Sequence, residues 1–279
     1  MKTPGRIQQA IDKARQQKGQ PSPRTAVRSA MAAAESQIVE PTMPAFPEVP
    51  FDRSTCADNR ILIWDDKSPP KTSADAAYRV LRTRLLHRVR TNNWSIIGVT
   101  SPGQGDGKSL TSLNLALSIA REGNNDVFLI DFDMRRSKIC DYLGAAPPLD
   151  INEFLDGAGK PQNVFFSIGV PNLTLAGSIT NSEDASELLA SNRVEALLGY
   201  IQHVAPRPVI IIDLPPLLST DDALIVAPKV DACLLVLAEG KTRRDSAAKA
   251  LELLSEFDLA GIVLNRSTAM EEDYYSSSS

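Results

Sequence analysis

With 279 residues, 43% hydrophobic and 23% charged, the chain has room for one large α/β domain with added segments, or for two small domains. A net charge of −4 argues against a nucleic-acid partner, which needs a basic face. No apolar run approaches the ~20 residues that span a bilayer, and the polar stretch Met1 to Gln20 lacks the apolar centre of a secretory signal.

A cytoplasmic location is therefore expected. Cys56, Cys140 and Cys233 fit it, being far apart with no Cys-x-x-Cys pair and expected to serve as small core side chains. Residues 1–70 hold nine of the nineteen prolines but two of the fifteen glycines. Pro41, Pro44, Pro47 and Pro50 recur at near-regular spacing, which favours extended, weakly packed chain. Within this stretch Ile7, Ala10, Ile11 and Ala14 stand at helical spacing, so 5–18 is expected to form a short amphipathic helix that docks or frays. Residues 1–70 thus read as a mobile, largely disordered segment ahead of a folded domain at 71–266.

From Ser73 the pattern becomes regular. Ser73-Ala74-Asp75 opens a helix through Tyr78, Leu81, Leu85 and Leu86, whose polar face carries Arg79, Arg82, Arg84, Arg88 and Arg90. That face is either simply solvated or meets an anionic partner surface. Strands are expected at 95–100, 127–131, 209–213, 232–237 and 261–264, and helices at 107–121, 185–202 and 243–257. Continuous apolar strands separated by helices predict an α/β fold with a mostly parallel central sheet covered on both faces. Residues 267–279 lose the pattern and form an acidic tail, Glu271-Glu272-Asp273-Tyr274-Tyr275 followed by four serines.

Three strand-end motifs carry the chemistry. The first, Gly103-Gln104-Gly105-Asp106-Gly107-Lys108-Ser109, joins a strand to a helix beginning at Leu110. Small residues there let backbone N–H groups turn inward around phosphate oxygens, and the helix N-terminus adds about half a positive charge. Gly103 to Leu110 are thus the expected nucleotide site for Mg-ATP. Lys108, expected to be an exposed loop lysine, would reach the β- and γ-phosphates, and Ser109 would ligate Mg²⁺. Pro102 occupies the first glycine position of the motif. The second motif ends a strand with Asp131-Phe132-Asp133-Met134-Arg135, two carboxylates that could hold the metal or accept a hydroxyl proton. The third, Val209 to Pro216, is a buried strand ending in Asp213, a Walker B pattern whose acid sits near Mg²⁺.

On these motifs, residues 73–275 resemble the catalytic domain of the bacterial tyrosine autokinases of capsular and exopolysaccharide biosynthesis, which are P-loop proteins. The run Tyr78 to Thr83 resembles that family's ring-forming helix, with Ala76 and Asp75 where it carries a glutamate. Ser186 to Leu189, Asp222-Ala223 and Leu264-Asn265-Arg266 extend the likeness. The resemblance implies an ATP-dependent protein-tyrosine kinase in which Asp131 or Asp133 orients or deprotonates the tyrosine, while Ser109, Asp131 and Asp213 serve the metal. It further implies that Asn265 and Arg266 lie near the adenine, and that Tyr274 and Tyr275 are acceptors phosphorylated by a neighbouring subunit. A homo-oligomer and a membrane-embedded chain-length regulator are the implied partners. Two other readings stay open. One is a non-kinase switch like the septum-placement and partition ATPases, although their signature lysine would fall at Gly103. The other is a degenerate ATP-binding regulator of a polysaccharide export complex.

Overall fold

Short runs rich in Val, Ile and Leu form six strands, β1 Ile96–Thr100, β2 Asp126–Asp131, β3 Leu173–Ala176, β4 Pro208–Asp213, β5 Ala232–Ala238 and β6 Leu259–Asn265. They pair in parallel in the order β3-β2-β4-β1-β5-β6. The computed structural model describes residues 43–63 and 72–267. The helix expected at 5–18 and the acceptors Tyr274 and Tyr275 lie outside these residues. The helices are α1 Arg53–Asp58, α2 Ser73–Asn92, α3 Lys108–Ala120, α4 Ile139–Leu143, α5 Ile151–Leu155, α6 Ala185–Ala190, α7 Asn192–Val204, α8 Asp222–Val226 and α9 Arg244–Leu253.

Alternate residues along each inner strand enter two different cores, because successive side chains of a strand point to opposite faces. Ile97, Val99, Leu129, Ile211 and Leu234 pack with α2, α3 and α4 on one side. Ile96, Phe128, Ile130, Ile210 and Leu235 pack with α5, α6, α7 and α9 on the other. Burial on both faces is the reason these strands read as continuous apolar runs. The chain is an α/β protein with helices on both sides of a parallel sheet.

Several elements depart from the sequence expectation. The single helix expected at 185–202 is two, broken at Ser191, whose extended backbone ends α6 and begins α7. Its hydroxyl bonds the Leu188 carbonyl, the local competition with helix geometry that serine offers. Strand β3 and the five-residue helices α4, α5 and α8 are too short to show a period.

Residues 43–63, placed by their prolines in the mobile segment, pack onto the domain. Phe46 meets Phe165 at 5.4 Å and Phe128 at 6.3 Å between ring centroids. The Val49 N–H donates to the Ser167 carbonyl at 2.8 Å, and Cys56 and Ile61 are buried. Asn114 of α3 accepts from the Leu62 N–H at 2.8 Å and donates to the Arg60 carbonyl at 3.1 Å. Proline fixes extended chain here, and the interspersed aromatic and aliphatic side chains give that chain something to bury. The three cysteines are buried thiols, as expected.

The basic face of α2 is partly spent inside the chain. Arg82 donates to the Ser118 carbonyl and pairs with Glu122 at 3.4 Å. Arg88 donates to the Leu259 and Ala260 carbonyls of β6. Arg79 and Arg84 stay exposed, Arg79 pairing with Asp75 one turn earlier. Among the described residues, no helix is long and apolar enough to cross a membrane.

Candidate nucleotide and phosphoryl-transfer site

β2, β4 and β1 are neighbours in the sheet, with Asp131 in register with Asp213 and Asp213 with Val99. The C-terminal ends of these strands therefore deliver the D-x-D segment, the Walker B acid and the glycine-rich loop to one place. Carboxyl ends of parallel strands at such a switch in strand order are where ligands bind.

The loop after β1 turns through Gly105 and Gly107, both at positive φ, +75° and +97°. A Cβ on Gly107 would also come within 2.0 Å of Asn265 Nδ2, so this position requires glycine on two counts. Gly107 begins α3 without a side-chain cap, and the first turn carries no acid. The N-terminal N–H groups of α3 are thereby left to an anion. Asp106, buried, accepts from the Gly103 N–H at 3.1 Å and holds the loop closed. Gln104 and Gly105 present carbonyls outward, and Leu110 begins the helix body.

Lys108 departs from expectation, for it is buried rather than exposed. Its Nζ lies 2.6 Å from Asp133 Oδ2 and 3.3 Å from Asp213 Oδ2, and donates to Ser109 Oγ at 3.0 Å. Burial disfavours its charge, but Asp213, Asp133 and Asp131 outweigh that and raise its pKa. Asp213, fully buried, also accepts from Ser112 Oγ at 3.0 Å. Burial pushes the Asp213 carboxyl up, against the pull of Lys108 and the serine hydroxyls.

Asp131 is placed differently from Asp133. Its Oδ2 accepts from Ser137 Oγ at 2.7 Å, the Lys138 N–H at 2.9 Å and the Ile139 N–H at 3.1 Å, while Oδ1 accepts from the Asp133 N–H at 3.1 Å. Both oxygens are occupied in fixing the loop that leads into α4. Burial and the charge of Asp213 raise its pKa, opposed by Lys108 and these hydrogen bonds. Arg135 points away from the phosphate cradle. Its guanidinium forks onto Asp222 at 2.7 and 3.3 Å and reaches Ser186 Oγ and the Glu183 carbonyl. It ties the D-x-D loop to the starts of α6 and α8.

From the opposite side of β1, β6 and the loop after β5 cover the cradle. Asn265 Nδ2 donates to the Asp106 carbonyl at 3.0 Å, and Arg266 to the Gly105 carbonyl at 2.8 Å. Lys241 donates to the Gln104 carbonyl. Ser112, Ser137 and Lys241 were not legible as site residues. Ser112 had one available signal, its place one helical turn after Lys108.

The donors suit a hard cation. A hydroxyl at Ser109 and a carboxylate at Asp213 are oxygen ligands of the kind Mg²⁺ takes with phosphate oxygens and water. Among the described residues no cluster of three or more acidic, histidine or cysteine side chains could hold a metal.

A strand, a glycine loop with an inward lysine, a helix without a cap and a buried strand-end acid define a P-loop nucleotide-binding protein. No protein-family model matches the chain. It is 31% identical over 200 residues to the tyrosine-protein kinase CpsD of Streptococcus pneumoniae serotype 4, covering 69% of this chain and 84% of that one. It is 29% identical to the tyrosine-protein kinase ptk of Acinetobacter johnsonii over 80% of its own length, and spans 30% of that longer protein. Among solved structures, the BceF tyrosine kinase domain superposes with a TM-score of 0.64 at 27% identity, covering 80% of this chain and 93% of that one. The chain belongs to the bacterial tyrosine-protein kinases.

Proposed function

We propose that this protein transfers phosphate from Mg-ATP to tyrosines of its own tail, as a cytoplasmic autokinase governing capsular or exopolysaccharide synthesis and export. The observation that carries the assignment is the meeting of Lys108, Asp133 and Asp213 beneath the glycine loop, at the ends of three neighbouring strands. Gly103 to Leu110 hold the phosphates, with Asn265 and Arg266 closing the cradle on the adenine side. Ser109 and Asp213 would hold Mg²⁺, which would supply neutralisation of the phosphate charge. Lys108 exchanges its carboxylate partners for phosphate oxygens, and the carboxylate it releases at Asp133 accepts the tyrosine proton. Asp131 acts by holding the loop that carries Asp133. The regulatory role predicts that a strain carrying an inactive kinase loses surface polysaccharide, and unchanged polysaccharide would count against it. Recruitment to the inner face of the membrane by a chain-length regulator completes the proposal.

The proposed acceptors are Tyr274 and Tyr275, phosphorylated in trans. The other tyrosines are tied into structure, with Tyr200 stacked on Phe165 at 5.9 Å and Tyr78 and Tyr142 packed against the core. Four strand spacings, about 19 Å, separate β6 from β2. Eight residues lead from Arg266 to Tyr274, a reach of about 28 Å at full extension. Length alone therefore permits delivery within one chain, and a mixing experiment decides the route. A Lys108→Ala chain, inactive but with an intact tail, is incubated with a Tyr274→Phe/Tyr275→Phe chain. Mass spectrometry should find phosphate on the Lys108→Ala tail, and an unlabelled tail would overturn the trans route.

Assembly through α2 is the third expectation. Arg82 is committed inside the chain, so the exposed Arg79, Arg84 and Arg90, the first and last in surface pairs with Asp75 and Glu122, are the cations left for acidic residues of a neighbouring subunit. Arg79→Glu/Arg84→Glu should convert an oligomer to monomers, and rising ionic strength should do the same to the wild type. Light scattering showing monomers alone in the wild type at low salt would remove α2 as an assembly surface.

A further inference from the structure

We infer that Arg136 and Lys138, the exposed cations of the D-x-D loop, form the recognition site for the acceptor by engaging the acidic residues ahead of its tyrosines. This inference rests on the kinase assignment above and specifies its substrate as an acidic tyrosine-bearing segment.

The site sorts its charges by depth. Asp131, Asp133 and Asp213 are 1%, 5% and 0% exposed. An acceptor arriving with Glu271, Glu272 and Asp273 just before Tyr274 brings three more negative charges to that opening. The nearby cations are mostly committed. Lys108 is shared between Asp133 and Asp213, and Arg135 is spent on Asp222 and Ser186. Arg266 and Lys241 hold carbonyls of the glycine loop on the opposite side of β1.

Arg136 and Lys138 differ from these. A turn in which the Arg136 N–H donates to the Asp133 carbonyl at 2.9 Å sets the Arg136 backbone beside Asp133, the proposed base. The Arg136 side chain is exposed and makes no ion pair or hydrogen bond to another described residue. Lys138 follows the serine that holds Asp131, and its own N–H donates to Asp131 Oδ2. Its ammonium pairs with Asp141 at 2.7 Å, both side chains about half exposed, a surface pair of the sort that exchanges partners at little cost. Both cations thus stand exposed on the loop that follows Asp133. Residues one to three before Tyr274 extend at most about 10 Å from it, a range that suits cations three and five positions beyond Asp133.

The test uses full-length chains. The enzyme carries Tyr274→Phe/Tyr275→Phe and the acceptor carries Lys108→Ala, with initial rates measured against acceptor concentration. Arg136→Glu/Lys138→Glu in the enzyme should raise KM for the acceptor about tenfold, as several rim charge pairs together provide. Nucleotide affinity, measured separately with a fluorescent ATP analogue, should not follow that change. Glu271→Lys/Glu272→Lys/Asp273→Lys in the acceptor should weaken transfer similarly, and combining the two reversed chains should recover most of the rate. Should the glutamate variant fold poorly, Arg136→Ala/Lys138→Ala serves instead, since its KM should lose the salt dependence that the parent shows. An unchanged KM, or a doubly reversed pair no better than either single reversal, would overturn the inference while leaving the kinase assignment intact. No transfer between the parent chains would instead overturn the trans route, and only absence of tyrosine label on the unaltered chain would overturn the assignment itself.

Discussion

Lys108→Ala should abolish phosphoryl transfer, by at least ~10²-fold in rate, and should also lower the melting temperature of the protein without nucleotide. The first effect follows from removing a charge aimed at the transferring phosphate in a water-poor site. The second follows from the burial of Lys108 against Asp133 and Asp213. Removing one partner of a buried ion pair costs about 3–5 kcal/mol, because the remaining charges are left without compensation. For a domain of this size that amounts to a fall of roughly 10 °C. The deficit should shrink toward low pH. Asp131 and Asp213 already have raised pKa values, and without the lysine these acids take up protons and cease to repel one another. Calorimetry of both proteins between pH 5 and pH 8 reads this directly. A melting temperature equal to the wild type at pH 8 would contradict the buried network, and near-normal phosphorylation would contradict the phosphate cradle.

Asp133→Asn and Asp131→Asn should fail in different ways. Asp133 lies 2.6 Å from Lys108 Nζ and, in the proposed mechanism, becomes available when the lysine turns to phosphate. The amide keeps its size but cannot take a proton, so kcat should fall by ~10²-fold or more while nucleotide affinity is retained. Asp131→Asn instead disturbs a brace. An amide has one oxygen where the carboxylate uses two, so either the Asp133 N–H or the three donors of Ser137, Lys138 and Ile139 face an N–H₂ group in place of an acceptor. That costs about 1–3 kcal/mol of stability and loosens the loop, with a smaller loss of kcat. Stopped-flow rates together with thermal melts separate the two. Equal melting and equal activity for both variants would show that the two acids do not divide these roles.

The candidate site was legible because each motif is contiguous: a strand, then within a few residues the groups proposed to act. Lys108, Asp133 and Asp213 are visible as strand-end residues, and parallel pairing then brings them together without further instruction. The supports were not legible because their partners are remote in sequence. Asp222 is 87 residues from Arg135, and Lys241 is 137 from Gln104. The depth of Lys108 was hidden for the same reason. Glycines on either side suggest an open loop, and the acids that bury it lie on other strands. Residues 43–63 show a further limit. Pro44, Pro47 and Pro50 correctly mark extended chain, but extended chain packs when Phe46, Val49 and Phe51 face a hydrophobic surface. Helices of five residues, such as α4, carry too few positions to show a period, although α4 is the element that Asp131 holds in place.

The most direct test of the central claim is incubation of the purified full-length protein with γ-labelled Mg-ATP, followed by phosphoamino-acid analysis. Label should appear on tyrosine, depend on Mg²⁺, and disappear in Lys108→Ala. Release of free phosphate with no label on tyrosine would contradict the account and identify the site as that of a hydrolytic switch.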